Sequence, residues 1–187
     1  MNICVISTSY PPEDSGGIGT YTYNLAKGLT ELGHKVFVIT KTGEDEKEEL
    51  LEGVNVYRFG SKYIPALEAY FPGLAWSRFV SGKISELDKK HRLDIVEFPN
   101  WEGPGFWYLR KRARKPAVTR LHTPYFESLM INKNNKNLSV ADRFTCWMEK
   151  AAAMKSDCLT SSTAFHRDCI SRAYHINSKD IELLPLG

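Results

Sequence analysis

Short apolar runs rich in β-branched residues alternate along this chain with longer stretches whose apolar positions recur every three or four residues. That alternation predicts βαβ units built around a mostly parallel sheet. "ICVIS" (Ile3–Ser7) reads as the first strand. Ile18, Tyr21, Leu25, Leu29 and Leu32 fall on one face of a following helix. The helix should stop at Gly33, where a left-handed residue is needed. "KVFVIT" (Lys35–Thr40) is almost entirely apolar, as expected of a central strand. "GEDEKEELLEG" reads as an acidic surface segment leading into a third strand, Val54–Phe59. Beyond an aromatic stretch from Ser61 to Phe79, a helix is expected from about Gly73 to His91, then a strand at Asp94–Phe98 and a short helix near Gly103–Arg112. Further strands are expected at Ala117–Leu121, Asp157–Ser162 and from Ile181, with a mobile loop at Asn132–Asn137 and helices through Trp147 to Met154 and over Ala164–Tyr174. The pattern predicts an α/β, doubly wound, Rossmann-like sheet whose functional loops lie at the carboxyl ends of its strands.

Composition narrows the picture. A chain of 187 residues with 42% hydrophobic content suits one large domain. Its net charge of +3 does not argue for nucleic acid. Cys4, Cys146, Cys158 and Cys169 show no C-x-x-C and no paired histidine spacing, so buried, reduced thiols and a metal-free cytoplasmic protein are expected. Arg110–Lys115, "RKRARK", suits either a solvated helix end or, together with the aromatic stretch, peripheral contact with the inner face of a membrane.

Candidate chemistry gathers after the first strand. In "YPPEDSGGIGTYTYNLAKGL", Gly16, Gly17 and Gly19 stand where a strand gives way to a helix. Bare glycines let a ligand approach the backbone, and a helix start offers unpaired N–H groups to an anion such as a phosphate. A turn that needs positive φ would also use glycine. A dinucleotide fingerprint is a poor match, because Thr22 occupies the third glycine position and Lys41, rather than an acid, closes the second strand. The G-x-x-x-x-G-K-[ST] phosphate loop is absent from the sequence as well. Tyr10, Asn100 and Trp101 each follow a strand, where an aromatic face or an amide could meet a ligand, and Asp14 could hydrogen-bond one or simply make a turn.

The ordered set "YPP … GGIG", "LGHKVFVIT", "DIVEFPNW", "TRLHTPYF" with His122, "Arg143 … Glu149 … SDCLTSS" and "IELLPLG" resembles the N-terminal half of family 4 glycosyltransferases of the GT-B fold. The resemblance covers residues 3 to 187. It implies one acceptor-side domain over residues 1–187, with 185–187 beginning the passage to an absent C-terminal domain that holds most of a nucleotide-sugar. It implies a retaining sugar transfer to a glycan, a lipid-linked or a small polar acceptor, with a UDP-, GDP- or ADP-sugar as co-substrate and no tightly bound cofactor. It assigns Gly16, Gly17, Ile18 and Gly19 to the donor diphosphate and places His122 beside the donor sugar. Arg143 would hold an acceptor phosphate and Glu149 would orient it, unless the two are surface side chains with no shared role. The family's glutamate pair has one counterpart in spacing, Glu44 and Glu52, in a context unlike the family's. The isolated chain is therefore expected to be inactive. A non-catalytic sugar- or protein-binding module is the alternative.

Overall fold

A computed structural model describes residues 1–13, 16–43, 45–60, 70–71, 73–133 and 138–185. Eight strands form one sheet in the order β3-β4-β2-β1-β5-β6-β7-β8. They are β1 (Asn2–Ile6), β2 (Lys35–Thr42), β3 (Lys47–Leu51), β4 (Val54–Gly60), β5 (Ile95–Pro99), β6 (Ala117–Leu121), β7 (Cys158–Ser161) and β8 (Ile181–Leu183). All neighbours are parallel except β3 and β4. The helices are α1 (Gly17–Glu31), α2 (Leu74–His91), α3 (Tyr125–Lys133), α4 (Val140–Ala153) and α5 (Ala164–Tyr174).

Strand alternation sorts the core into two faces. Ile3 and Val5 of β1 pack with Val36, Val38, Val54, Val56 and Ala26 of α1. Cys4 and Ile6 point the other way, into a cluster with Phe37, Ile39, Trp76, Val80, Ile84, Leu87 and Met148. Leu121, Leu159 and Ile181 extend that second face beneath α5. The sheet is doubly wound, and its order reverses at β1, between β2 and β5.

Four features differ from the sequence reading. "KEELL" is an antiparallel edge strand, not a surface loop. Gly103–Arg112 is a run of turns ending in a 3-10 turn at Tyr108–Arg110. Helix α1 buries Gly19, Thr22 and Ala26 rather than the large apolar stripe, and Leu32 is 75% exposed. Small residues let the helix approach β1 and β2 closely, which turns Tyr21, Leu25 and Leu29 sideways along a cavity of about 880 Å³. Of the cysteines only Cys4 is buried, and burial pushes its thiol well above the ordinary range. The Gly33 stop is as expected, at φ +82. Asn134–Asn137 lie outside the described residues, as does the stretch from Ser61 to Ala69.

Candidate functional site

The loop after β1 is anchored before it reaches its glycines. Tyr10 is 1% exposed and its ring packs edge-on against Tyr23 at 5.9 Å. Its face is therefore spent on the core rather than offered to a sugar. Arg58 of β4 donates through Nη1 to the Tyr10 carbonyl at 2.8 Å and through Nη2 to the Pro11 carbonyl. Thr42 donates its hydroxyl to Glu13 Oε1 at 2.6 Å. Asp14 lies outside the described residues.

Gly16 then caps α1 in an extended conformation, φ −64 and ψ −172, with no side-chain cap among the described residues. Gly16 and Gly17 are exposed, and neither has positive φ. A Cβ added at either would meet no described atom within 4 Å. Turn geometry and internal packing thus do not explain these two glycines, which removes the turn alternative for them. The first intrahelical bond from this end is Thr20 N–H to the Gly16 carbonyl. The amides of Gly17, Ile18 and Gly19 precede it and face the carboxyl edge of the sheet without an acceptor inside the helix.

His122 follows β6 on the same rim. Its amide donates to Asn100 Oδ1 at 2.7 Å, and Asn100 is itself buried after β5. The Asn100 amide oxygen is thus committed to placing His122. The His122 ring meets the Tyr21 ring at 5.2 Å, one turn into α1. Burial, then the charges of Arg120 and His166, push the imidazole down to about 4, so it is neutral at pH 7. Its Nε2 is buried without a partner among the described residues. The Tyr21 hydroxyl donates to Glu97 Oε1 at 3.0 Å, and the Arg120 guanidinium lies 5.0 Å from the Tyr21 ring. Burial raises Glu97 while the Tyr21 bond and Arg120 oppose it. Glu97, Arg120 and Arg58 were not singled out from sequence, and Tyr21 was read only as part of the apolar face of α1. The available signal was a charge inside an apolar strand, in "DIVEF", "VTRL" and "VYRF".

Trp101 is partly exposed beside this group, its ring 5.4 Å from Tyr125. Glu149 is fully buried and accepts the Glu102 and Tyr125 amides, each at 2.9 Å, and the Tyr174 hydroxyl at 3.3 Å. Its oxygens are engaged by the protein, so it holds loops rather than an acceptor. Arg143 lies on the same helix about 240° around the axis and is exposed. The two share no site, and Glu149 is not a surface residue. Glu52 receives the Tyr23 hydroxyl at 2.6 Å, while Glu44 lies outside the described residues. No group of metal-ligating side chains large enough to hold an ion occurs among the described residues.

A doubly wound sheet whose switch point carries a bare glycine helix start, with a buried neutral histidine on the same rim, defines a Rossmann-like domain. The chain belongs to Glycosyltransferase Family 4, whose family model matches residues 15–187. It is 32% identical over 107 residues to an uncharacterized glycosyltransferase of Methanocaldococcus jannaschii, covering 54% of this chain and 25% of that protein. It is 33% identical over 127 residues to the alpha-monoglucosyldiacylglycerol synthase of Acholeplasma laidlawii, covering 67% of this chain and 30% of that protein. Sucrose-phosphate synthase from Thermosynechococcus elongatus superposes with a TM-score of 0.69 at 19% identity, over 98% of this chain and 47% of that one. The fold is thus one half of a GT-B glycosyltransferase, and the chain spans under half the length of these relatives.

Proposed function

We propose that this chain is the acceptor-side, N-terminal domain of a retaining glycosyltransferase that takes its sugar from a nucleotide-sugar. A C-terminal domain in cis, reached from residues 185–187, would supply most nucleotide contacts. The observation that carries the reading is the exposed Gly16–Gly17 start of α1, which has no side-chain cap and whose glycines meet no packing demand among the described residues. There the amides of Gly17, Ile18 and Gly19, aided by the helix dipole, stabilise the negative charge that develops on a departing diphosphate. Neutral His122, fixed through its amide by Asn100, faces the sugar without adding a charge, and Trp101 offers a ring to the acceptor. The acceptor class is a glycan, a lipid-linked or a small polar molecule.

Titration of the chain with UDP-, GDP- and ADP-sugars, followed by backbone amide NMR, tests this. Shifts should concentrate at Gly16–Gly19 and His122. Gly17→Ala should leave the fold intact, or more stable by about 0.5–1 kcal/mol, because a helical alanine restricts the unfolded chain. The same change should weaken binding about tenfold by displacing an anion from charge-assisted amide bonds. Undiminished binding by Gly17→Ala would sink the assignment. Sugar-transfer assays on the 187-residue chain alone should show no turnover, and robust transfer would mean that the donor site is misplaced.

A further inference from the structure

Arg120 is a cation buried without an ion-pair partner among the described residues. Leu121 packs beneath α5, so strand alternation turns Arg120 to the opposite side of β6, toward α1. The residue is 2% exposed. Among the described residues its one hydrogen bond runs from Nη2 to the Leu184 carbonyl at 2.6 Å. Its Nε–H is buried with no acceptor among them. Glu97 lies close enough to feel the charge, yet its Oε1 takes the Tyr21 hydroxyl at 3.0 Å. A guanidinium carries five donors and stays charged at every working pH, so burying it with one acceptor is strongly unfavourable.

The same side chain lines the cavity beside α1. Gly17, Thr20 and Tyr21 line one end of that space of about 880 Å³, and Leu29 and Leu32 line the other. Arg120 belongs to the first end, because its Cζ lies 5.0 Å from the centre of the Tyr21 ring. The Tyr21 ring also meets that of His122 at 5.2 Å, so guanidinium and imidazole both adjoin one ring. The charge of Arg120 helps to keep His122 neutral, as expected of a cation that reaches the rim. One end of the cavity thus holds the amide start of α1 and a buried guanidinium with an unused donor, and both favour an anion.

We propose that Arg120 determines which anion this rim prefers: it binds one phosphate group of a diphosphate whose other group sits on the amides of Gly17–Gly19. This role rests on the reading of the α1 start as a diphosphate site. The bond from Nη2 to Leu184 fixes the plane of the guanidinium and leaves Nε–H to the ligand. A group held in place beforehand loses little freedom on binding. A diphosphate reaches the amides and the guanidinium together. A single phosphate engages one set at a time and is held less tightly. The planar fork matters as well as the charge, since a lysine could not keep Leu184 and meet the ligand in the same geometry.

NMR of the 187-residue chain with inorganic pyrophosphate, and separately with inorganic phosphate, tests this role. The Arg120 Nε–H signal should shift with pyrophosphate together with the amides of Gly17–Gly19. Pyrophosphate should bind about tenfold more tightly than phosphate. Arg120→Gln should weaken pyrophosphate binding about tenfold and phosphate binding by no more than about twofold, so the preference disappears. Arg120→Lys, which keeps the charge but not the fork, should fall between the parent and the Gln variant. Lys89→Gln, an equal loss of charge at the exposed end of α2, should bind as the parent does. Thermal unfolding reports that each variant is folded, and the Nε–H signal of the parent needs no substitution. Equal pyrophosphate affinity in Arg120→Gln, or an unmoved Nε–H signal while the Gly17–Gly19 amides shift, would overturn the role of Arg120 and leave the helix start standing. If Gly17→Ala binds both anions as the parent does, the helix start fails, and the bridging role with it.

Discussion

Replacing Arg58 by Met should lower stability by about 3–5 kcal/mol, the usual consequence of breaking one side of a buried ionic network. For a domain of this size that amounts to roughly 10 °C in Tm. The Arg58 side chain is fully buried. Its Nε donates to Glu49 at 2.6 Å, its Nη1 to the Tyr10 carbonyl and to Glu13 at 3.4 Å, and its Nη2 to the Pro11 carbonyl. Removal strands two backbone carbonyls and leaves Glu13 with Thr42 and Glu49 with Lys47 in place of the guanidinium. It also cuts the tie between edge strand β3 and the loop that delivers Gly16. Lysine should restore little, since one ammonium cannot span four acceptors that a planar guanidinium reaches together. The acid limb supplies a second readout. Bonding to Arg58 holds the Glu49 carboxyl below the usual carboxylate range. That contribution is present above the ordinary carboxylate pKa and is lost as pH falls through the depressed value. The Met variant should lack this acid-sensitive part. Thermal unfolding against pH, with amide NMR over Tyr10–Gly19, checks both claims. A Met variant that melts with the parent would refute them.

The elements most legible in the sequence were those whose packing follows local pattern. The parallel strands are apolar because helices cover them, and the α1 stop needs a left-handed residue that Gly33 supplies. Strand β3 was hidden because an edge strand is protected by charge rather than by apolar alternation, and Leu50 on it is exposed. The buried stripe of α1 was misplaced by about one position because Gly19, Thr22 and Ala26 win contact by being small, which a search for large apolar residues passes over. At the rim, position in the fold pointed to Gly16–Gly19 and His122. The side chains that hold the rim in place did not stand out, because each makes sense only against a partner far away in sequence. Arg58 meets Tyr10 across 48 residues, and Tyr21 meets Glu97 across 76. Asn100 was read as a ligand group, yet its oxygen is spent on the His122 amide 22 residues on.

Glu149→Leu should cost about 2–4 kcal/mol, because it leaves the Glu102 and Tyr125 amides and the Tyr174 hydroxyl buried without an acceptor. The damage should be local to one side of the rim. Hydrogen exchange should quicken at residues 101–103 and 123–126, which carry Trp101 and the start of α3, and stay unchanged at Gly16–Gly19. Glu149 also gives the fold a titration above the carboxylate range. Burial pushes its pKa up to about 8, against the three donors, with Glu102 adding repulsion and Asp142 and Cys146 nearby on its own helix. The folded state therefore binds a proton that the unfolded chain releases near 4.5. Its contribution to stability is full below that value and is lost as pH rises through about 8. His122 works in the opposite sense at lower pH: its imidazole titrates near 4, so its contribution is present above the unfolded value of 6.5 and is lost as pH falls between the two. Chemical denaturation across this range should show the wild type losing stability from about pH 6.5 to 8, where the His122 contribution is full and no longer changes with pH. Glu149→Gln should be flat over the same interval while retaining the His122 limb. A Gln variant that keeps the alkaline decline would place that titration elsewhere, and Glu149 would then be an ionised acceptor for its three donors at all working pH values.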